Sequence, residues 1–531
     1  MKLRLSRYKS YIINLLVPAI VFGFITGTLT SIVVMLYKLC AKYIIHFSEV
    51  GYDYLREHLY FVPLVIIGLL GVSLLLAYIY KKTPNVKGGG IPTSVGILRG
   101  IITFQWFKNL IGVFLLSLSS FLIGVPLGNE GPSVQMGTAI GRGSVYTFAK
   151  KQRAWDRYSM TGGACAGFSV ATGAPISGIF FAIEEAHQRI SPTIVIMASS
   201  SVLFASITSK LLSPVFGVSE KLFAIPDLPI LGVKSYWIPL VVGLVVGIFS
   251  ALFLNYYKLL DKIHDVWLKK VPHFVKIFTV LVLTVVLGLC SFSFISTGHE
   301  LILELFNNNG TILVLLLILL VRTTLTLGAN KTGITGGTFI PVLALGALVA
   351  SIVGKALVYF GLDSGMYTVI LVLGITSCIS GSIKMPLTAI MFALEALSCA
   401  DNVIPVVIAS FVAFLVTEMI GVKSINDEVI EMRLEDEEEK PNQVTREIFV
   451  TVQKGSFAVG KQIRDIFWPK NLFVLSVKHQ QSNTSVDEHG GKEIRENDLL
   501  HIRYSTSNES DMKNELLAII GEQELVFEEE K

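Results

Sequence analysis

A chain of 531 residues that is 52% hydrophobic and only 16% charged, with a mean hydropathy of +0.63, is a polytopic membrane protein and not a soluble enzyme. Its net charge of +4 is mixed in sign, with no long basic run, which gives no basis for a nucleic-acid partner. Cys40, Cys165, Cys290, Cys378 and Cys399 are scattered without a C-x-x-C spacing, which argues against a disulfide framework or a zinc site. No nucleophile, base and orienting group recur together and no metal or nucleotide motif is present, so neither an enzyme nor a cofactor is expected.

The basic start MKLRLSRYKS leads into an apolar run without an A-x-A-like cleavage site, which predicts an uncleaved first helix with a cytoplasmic N-terminus. Residues 11–45 and 61–80 are each long enough to span the hydrocarbon. From Lys87 to Glu185 the apolar runs are short, broken by GGGIP (88–92), GNEGP (128–132), TGGACAG (161–167) and TGAP (172–175). Long spans return at 237–257 and 275–291, and a second broken region runs from Thr332 to Leu397. Non-helical backbone at membrane depth persists only where it is buried in protein or lines a wet cavity, so these breaks point to a site.

The two broken regions match. GAPISGIFFAIEEA (173–186) aligns with KMPLTAIMFALEAL (384–397), pairing Pro175 with Pro386, Phe181 with Phe392 and Glu184 with Glu395 at a separation of 211. GPSVQMG (131–137) aligns with IPVLALG (340–346), pairing Pro132 with Pro341 and Gly137 with Gly346 at a separation of 209. Duplication with interrupted helices in corresponding places is the mark of a transporter whose site lies at the repeat interface.

Glu130, between two glycines at the start of an apolar helix, is the central candidate. A charge at the middle of a bilayer costs roughly 2.5–3.5 kcal/mol, so it is functional by default. A helix N-terminus carries about half a positive charge, which at about 4 Å and an effective dielectric of about 20 offers an anion about 2 kcal/mol. Helix starts are expected at GGGIP, GNEGP, TGGTFIP (335–341) and near Lys423; one end barely offsets the cost of holding an anion, whereas two or three converging ends hold it with dipoles alone, and the ion can leave again. Ionised, Glu130 takes the anion's place; protonated, it swings away. Glu184 and Glu185 close the run GIFFAI, either as an ordinary helix end or with one of them as a cytoplasmic proton acceptor. His187 and Arg189 are expected at the cytoplasmic surface, and Glu395 as a capping or interface group.

After Leu434 the character changes. EDEEEK (435–440) and Pro441 read as a solvated acidic linker, and 446–453, 471–478 and 498–504 alternate like strands. Short helices are expected at 459–467 and 510–520. The divisions are therefore a transport domain at 1–434 with repeats at about 50–230 and 231–434, a linker at 435–445, and a small α+β cytoplasmic domain at 446–531.

These motifs resemble those of the CLC family of chloride channels and proton-coupled anion exchangers. GNEGP is similar to the family's G-K/R-E-G-P, GGGIP to G-S-G-I-P, and GGTFIP to G-x-F-x-P, in the family's order over about residues 10–434. The resemblance implies a homodimer with one anion pathway per subunit, each built from two inverted repeats of tilted helices. It places Glu130 at the external gating glutamate and Glu185 at the internal proton glutamate of exchangers. It places the anion at the backbone of Gly89, Gly90, Ile91, Asn129, Gly131, Gly337, Thr338 and Phe339, with Asn426 at the position of a tyrosine ligand. Three residues depart from the family pattern: Gly89 replaces its serine, Asn426 its tyrosine, and Asn129 its Arg or Lys. Asn129 with Gly89 is similar to the fluoride-exporting branch, which generally lacks the internal glutamate present here as Glu185. The C-terminal stretch KGSFAVGKQIRDIFWPKNLFVLSVK resembles the TrkA-C or RCK-C module of potassium-uptake regulators. Such modules commonly dimerise and sense a small ligand, cyclic di-AMP being one class. Three functions stay open: a chloride/proton exchanger, a passive chloride channel and a fluoride exporter.

Overall fold

The computed structural model describes residues 15–150, 152–223, 225, 228–307, 310–438, 444–469, 471–479, 486–487, 491, 493–506 and 509–523. The basic N-terminal stretch and residues 439–443 of the expected linker lie outside these. In the first half the helices are α1 (Val17–Glu57), α2 (Val62–Lys82), α3 (Ile91–Leu98), α4 (Trp106–Ile123), α5 (Glu130–Phe148), α6 (Asp156–Thr172), α7 (Pro175–Phe181) and α8 (Pro192–Phe216). The second half repeats the order with α9 (Trp237–Ile263), α10 (His273–Cys290), α11 (His299–Phe306), α12 (Ile312–Thr332), α13 (Phe339–Tyr359), α14 (Tyr367–Cys378), α15 (Pro386–Glu395) and α16 (Val403–Ile420). The order pairs α1 with α9, which carries the first repeat back to Val17, ahead of the start near residue 50 that the motifs suggest. Ten helices are long and apolar enough to cross a membrane among the described residues. At 1.5 Å per residue, α1 is about 60 Å long, about twice the hydrocarbon thickness, so it crosses at a tilt.

Helices pack through small residues, as lipid-embedded helices do where no hydrophobic gain separates protein from lipid. Gly137 of α5 and Gly163 of α6 face each other so closely that a β-carbon on either would collide with the other's carbonyl. Gly346 of α13 and Gly374 of α14 make the same approach in the second half: β-carbons there would stand 2.7 Å and 2.8 Å from the opposite carbonyl oxygens. The pair α1 and α8 (Gly27 on Ser201) is likewise matched by α9 and α16 (Gly243 on Ala409).

The duplication is also visible in two carboxylates. Glu184, just past α7, accepts from the N–H groups of Leu387 (2.8 Å) and Thr388 (2.7 Å) at the start of α15. Its repeat mate Glu395, at the end of α15, accepts from the N–H groups of Ile176 (2.8 Å) and Ser177 (2.9 Å) at the start of α7. Each repeat thus caps the other's helix, and the exchange relates the two by a local twofold. Both are half-buried, and a carboxylate on free helix N–H groups is favoured by hydrogen bonding and the dipole. Replacing either Glu184 or Glu395 by alanine is expected to destabilise the protein by about 1–3 kcal/mol, read as a lower melting temperature in detergent; an unchanged melting temperature for both would contradict the capping role.

Beyond α16, α17 (Ile425–Glu438) begins at Ser424, whose hydroxyl accepts from Asp427 N at 3.0 Å. The helix runs through Glu438, into the stretch expected to be linker. The C-terminal sheet contains β1 (Val444–Thr451), β2 (Leu472–Lys478), β3 (Val486–Asp487) and β4 (Leu499–Thr506) in the order β1-β4-β2-β3, with antiparallel pairing throughout. The amphipathic α18 (Glu509–Ile520) buries Met512, Leu516, Ile519 and Ile520 against it. No helix forms over 459–467 beyond the short turn Ile463–Asp465. Gly460 takes a left-handed φ of 79°, and the backbone of Gly460 and Lys461 pairs instead with Ile494.

This domain sits on the membrane domain through an aromatic contact. Tyr158 donates to Asp465 O (2.6 Å) and packs 4.4 Å from the Phe467 ring, while Arg157 donates to Trp468 O (2.9 Å). His187 and Arg189 belong to the same contact and are not free surface groups: His187 lies 4.6 Å from the Phe467 ring and bonds Thr161, and Arg189 donates to Arg464 O at 2.9 Å.

Candidate anion and proton site

Three glycine loops, the openings of α3, α5 and α13, meet backbone to backbone. Gly128 and Gly337 form an antiparallel bridge, with N–H to O distances of 2.6 Å and 2.7 Å. A β-carbon on Gly131 would stand 2.7 Å from Gly337 Cα and collide with Gly89 O, and one on Gly90 would collide with Gly131. Gly90 also holds φ at 76°, a region open to glycine at no steric cost. The loops are fixed from outside: Gly88 N donates to Gly333 O (3.0 Å), Thr335 hydroxyl to Val86 O (2.7 Å), and Ser120 hydroxyl to Thr335 O (2.8 Å). Tyr80 is tied to Thr335 at 3.0 Å. The sequence therefore needs glycine here because the three helix starts can converge only without side chains between them.

Glu130 lies at this convergence, 0% exposed. Its carboxylate folds back over Gly128, where a β-carbon would stand 2.7 Å from Oε2 and 3.3 Å from Ile340 Cβ. No hydrogen bond of ordinary geometry reaches either oxygen. A buried carboxylate without firm partners is costly to hold. What favours it there is the pair of positive helix ends of α5 and α13, the field that would also hold a small anion. Asn129 is half-buried, with its Oδ1 unpartnered.

Thr338 and Phe339 open α13, both buried. The Phe339 ring stands edge-on to Phe168 (5.2 Å) and Phe392 (5.6 Å), and Phe168 stacks on Phe181 (5.4 Å), so apolar rings from both repeats pack together at the start of α13.

Glu185 lies apart from this convergence, in a π-turn over Ala182–Ala186 that follows α7. Such turns redirect side chains and are frequent at functional sites. The turn separates the two acids: Glu184 faces the α15 start, and Glu185 points inward, 4% exposed. Asn426 Nδ2 donates to Glu185 Oε1 at 3.0 Å. Arg99, just past α3, grips the turn from behind, with Nη2 on Glu185 O (2.8 Å) and Nε on Ala186 O (3.3 Å), and pairs with Asp427 (3.5 Å). Of the expected site residues, the structure brings together Gly89, Gly90, Ile91, Asn129, Glu130, Gly131, Gly337, Thr338 and Phe339. It places Asn426 with Glu185. Arg99 and Asp427 escape the sequence reading, because an arginine after a short helix and an acid in KSINDEVI carry no pattern. No cluster of metal-ligating residues occurs among the described residues.

The chain is 27% identical over 431 residues to the "H(+)/Cl(-) exchange transporter ClcA" of Klebsiella pneumoniae subsp. pneumoniae, covering 78% of this chain and 88% of that one. It is 25% identical over 433 residues to the protein of the same name from Vibrio parahaemolyticus, covering 79% and 90%. Its fold is similar to the crystal structures of a slow cyanobacterial Cl−/H+ antiporter (TM-score 0.71, 23% identity, 79% of this chain and 99% of that one) and of a CLC-type fluoride/proton antiporter (TM-score 0.61, 20% identity, 76% and 96%). The family described as "Voltage gated chloride channel" matches residues 71–418, more than half of the length, and the chain therefore belongs to that family, the CLC proteins.

Proposed function

We propose that this protein is a secondary active transporter exchanging chloride for protons across the cell membrane. The observation that carries the reading is Glu130: a fully buried carboxylate without firm hydrogen bonds, held where three helix-opening loops meet. Chloride takes its place at the backbone of Gly89, Gly90, Asn129, Gly131, Thr338 and Phe339 once Glu130 binds a proton and leaves; the N–H of Gly337 is held by Gly128 O and that of Ile91 by Gly89 O, so these two shape the loops and do not donate to the ion. Dipoles fix the ion without a cation that would trap it. Glu185 takes the proton on the other side, held by Asn426 and Arg99. Two titrating carboxylates at separate places, one on the anion's own position, tie proton movement to anion movement; a passive channel needs no second carboxylate. The exchange transporters to which the chain is similar support the same reading.

The transport domain spans 1–434, with both termini in the cytoplasm, the N-terminal side favoured by the basic start. The chain works as a homodimer, and its C-terminal domain is of TrkA-C type, regulating transport by a small ligand of the cyclic di-AMP class. The docking of Phe467 on Tyr158 and His187, two residues from Glu185, supports a regulatory place for it.

The test is proteoliposomes with an outward chloride gradient, following external pH and chloride together and repeating with fluoride. Protons entering uphill as chloride leaves support exchange. Chloride flux without protons would make the protein a channel, and proton coupling with fluoride alone would make Asn129 and Gly89 the marks of a fluoride exporter.

A further inference from the structure

The loop that opens α3 offers an anion backbone only: Gly88, Gly89 and Gly90 have no side chains. The side chain nearest that gap belongs to Asn330, in the last turn of α12. A β-carbon on Gly89 would stand 3.4 Å from Asn330 Nδ2, closer than its next neighbours Pro92 Cδ (3.6 Å) and Gly336 O (3.8 Å). The amide is oriented. The Tyr257 hydroxyl donates to Asn330 Oδ1 at 3.0 Å. Tyr257 is itself 1% exposed, with the Lys331 ammonium 3.2 Å from its ring centre and Lys331 paired with Asp261. An amide whose oxygen is held presents its two N–H donors the other way, here towards Gly89. Asn330 is half-buried, and no protein acceptor takes its Nδ2 among the described residues. Asn426 differs: its Nδ2 is engaged with Glu185.

We propose that Asn330 is a side-chain ligand for the transported anion, its amide donors completing a site to which the loop 88–91 brings only the backbone N–H groups of Gly89 and Gly90, those of Gly88 and Ile91 being bonded to Gly333 O and Gly89 O. Tyr257 acts through it as a positioning residue. A neutral donor adds affinity without a fixed positive charge, so the anion still leaves. This assignment rests on the exchange reading above and adds the residue that sets anion affinity on the α3 side of the route.

The test titrates sodium chloride into purified full-length protein by calorimetry. Asn330→Ala is expected to weaken chloride binding about tenfold, the scale of one hydrogen bond to a charged group. Tyr257→Phe, which leaves the amide in place but unheld, is expected to weaken it by about threefold. Gly89→Ser in the Asn330→Ala background is expected to recover affinity, since a side chain at 89 meets only ordinary contacts and restores a donor at the same gap. A structural role for Asn330 would lower the melting temperature and leave the chloride dissociation constant unmoved, which overturns the assignment. Should Asn330→Ala not fold, unchanged affinity in Tyr257→Phe overturns it equally. Unchanged affinity in the variants beside normal binding in the parent removes Asn330 alone; no chloride binding by the parent removes the exchange reading with it.

Discussion

Glu130→Gln, reconstituted in liposomes, is expected to carry chloride with no coupled protons. The carboxylate occupies the convergence of the α5 and α13 starts without firm hydrogen bonds, so what keeps it there is charge attracted to the helix ends. A neutral amide loses that attraction and cannot carry a proton through the cycle. Proton movement should fall roughly 10²-fold or more, the scale on which a lost proton-transfer group acts, while chloride binding persists or tightens because its competitor is gone. Flux assays reading pH and chloride in one vesicle population decide this. A mutant that still pumps protons against a gradient would remove Glu130 from the proton path.

The second large effect is expected at Glu185. Glu185→Gln keeps the shape of the turn, because Arg99 holds the backbone carbonyls of Glu185 and Ala186, not the carboxylate. The carbonyl oxygen of glutamine also still accepts from Asn426 Nδ2, now at 3.0 Å from Oε1. The variant therefore differs from the parent in titration alone. Coupled proton flux is expected to drop by roughly 10²-fold, with chloride flux kept. An unaltered proton signal would return Glu185 to a structural place in the turn.

The contrast between the two positions shows what a sequence can carry. GNEGP, GGGIP and GGTFIP could be read as converging helix starts because glycine and proline act locally, on the backbone they sit in. The strands of the C-terminal domain were legible for the same reason, from alternation. Glu395 was legible as a cap, but that it caps α7 while Glu184 caps α15 required the packing of one repeat on the other. The helix expected over 459–467 gave way to tertiary pairing: Gly460 and Lys461 bond Ile494, a partner far along the chain. His187 and Arg189 looked like surface charges because nothing near them in sequence reveals the Phe467 ring that covers them. Asn330 lay in the unremarkable stretch LGANKTG, and only the distance to Gly89 and the Tyr257 hydroxyl give it meaning.

The central claim is that proton and chloride movements are obligately tied through Glu130 and Glu185. The most direct measurement loads proteoliposomes with equal chloride inside and out, clamps the voltage at zero with potassium and valinomycin, and imposes only a pH gradient. Exchange predicts that chloride accumulates against its own rising gradient, on the side the protons leave, and that accumulation vanishes in both Glu130→Gln and Glu185→Gln. Chloride that stays at equal concentration on both sides while the pH gradient persists would contradict the account.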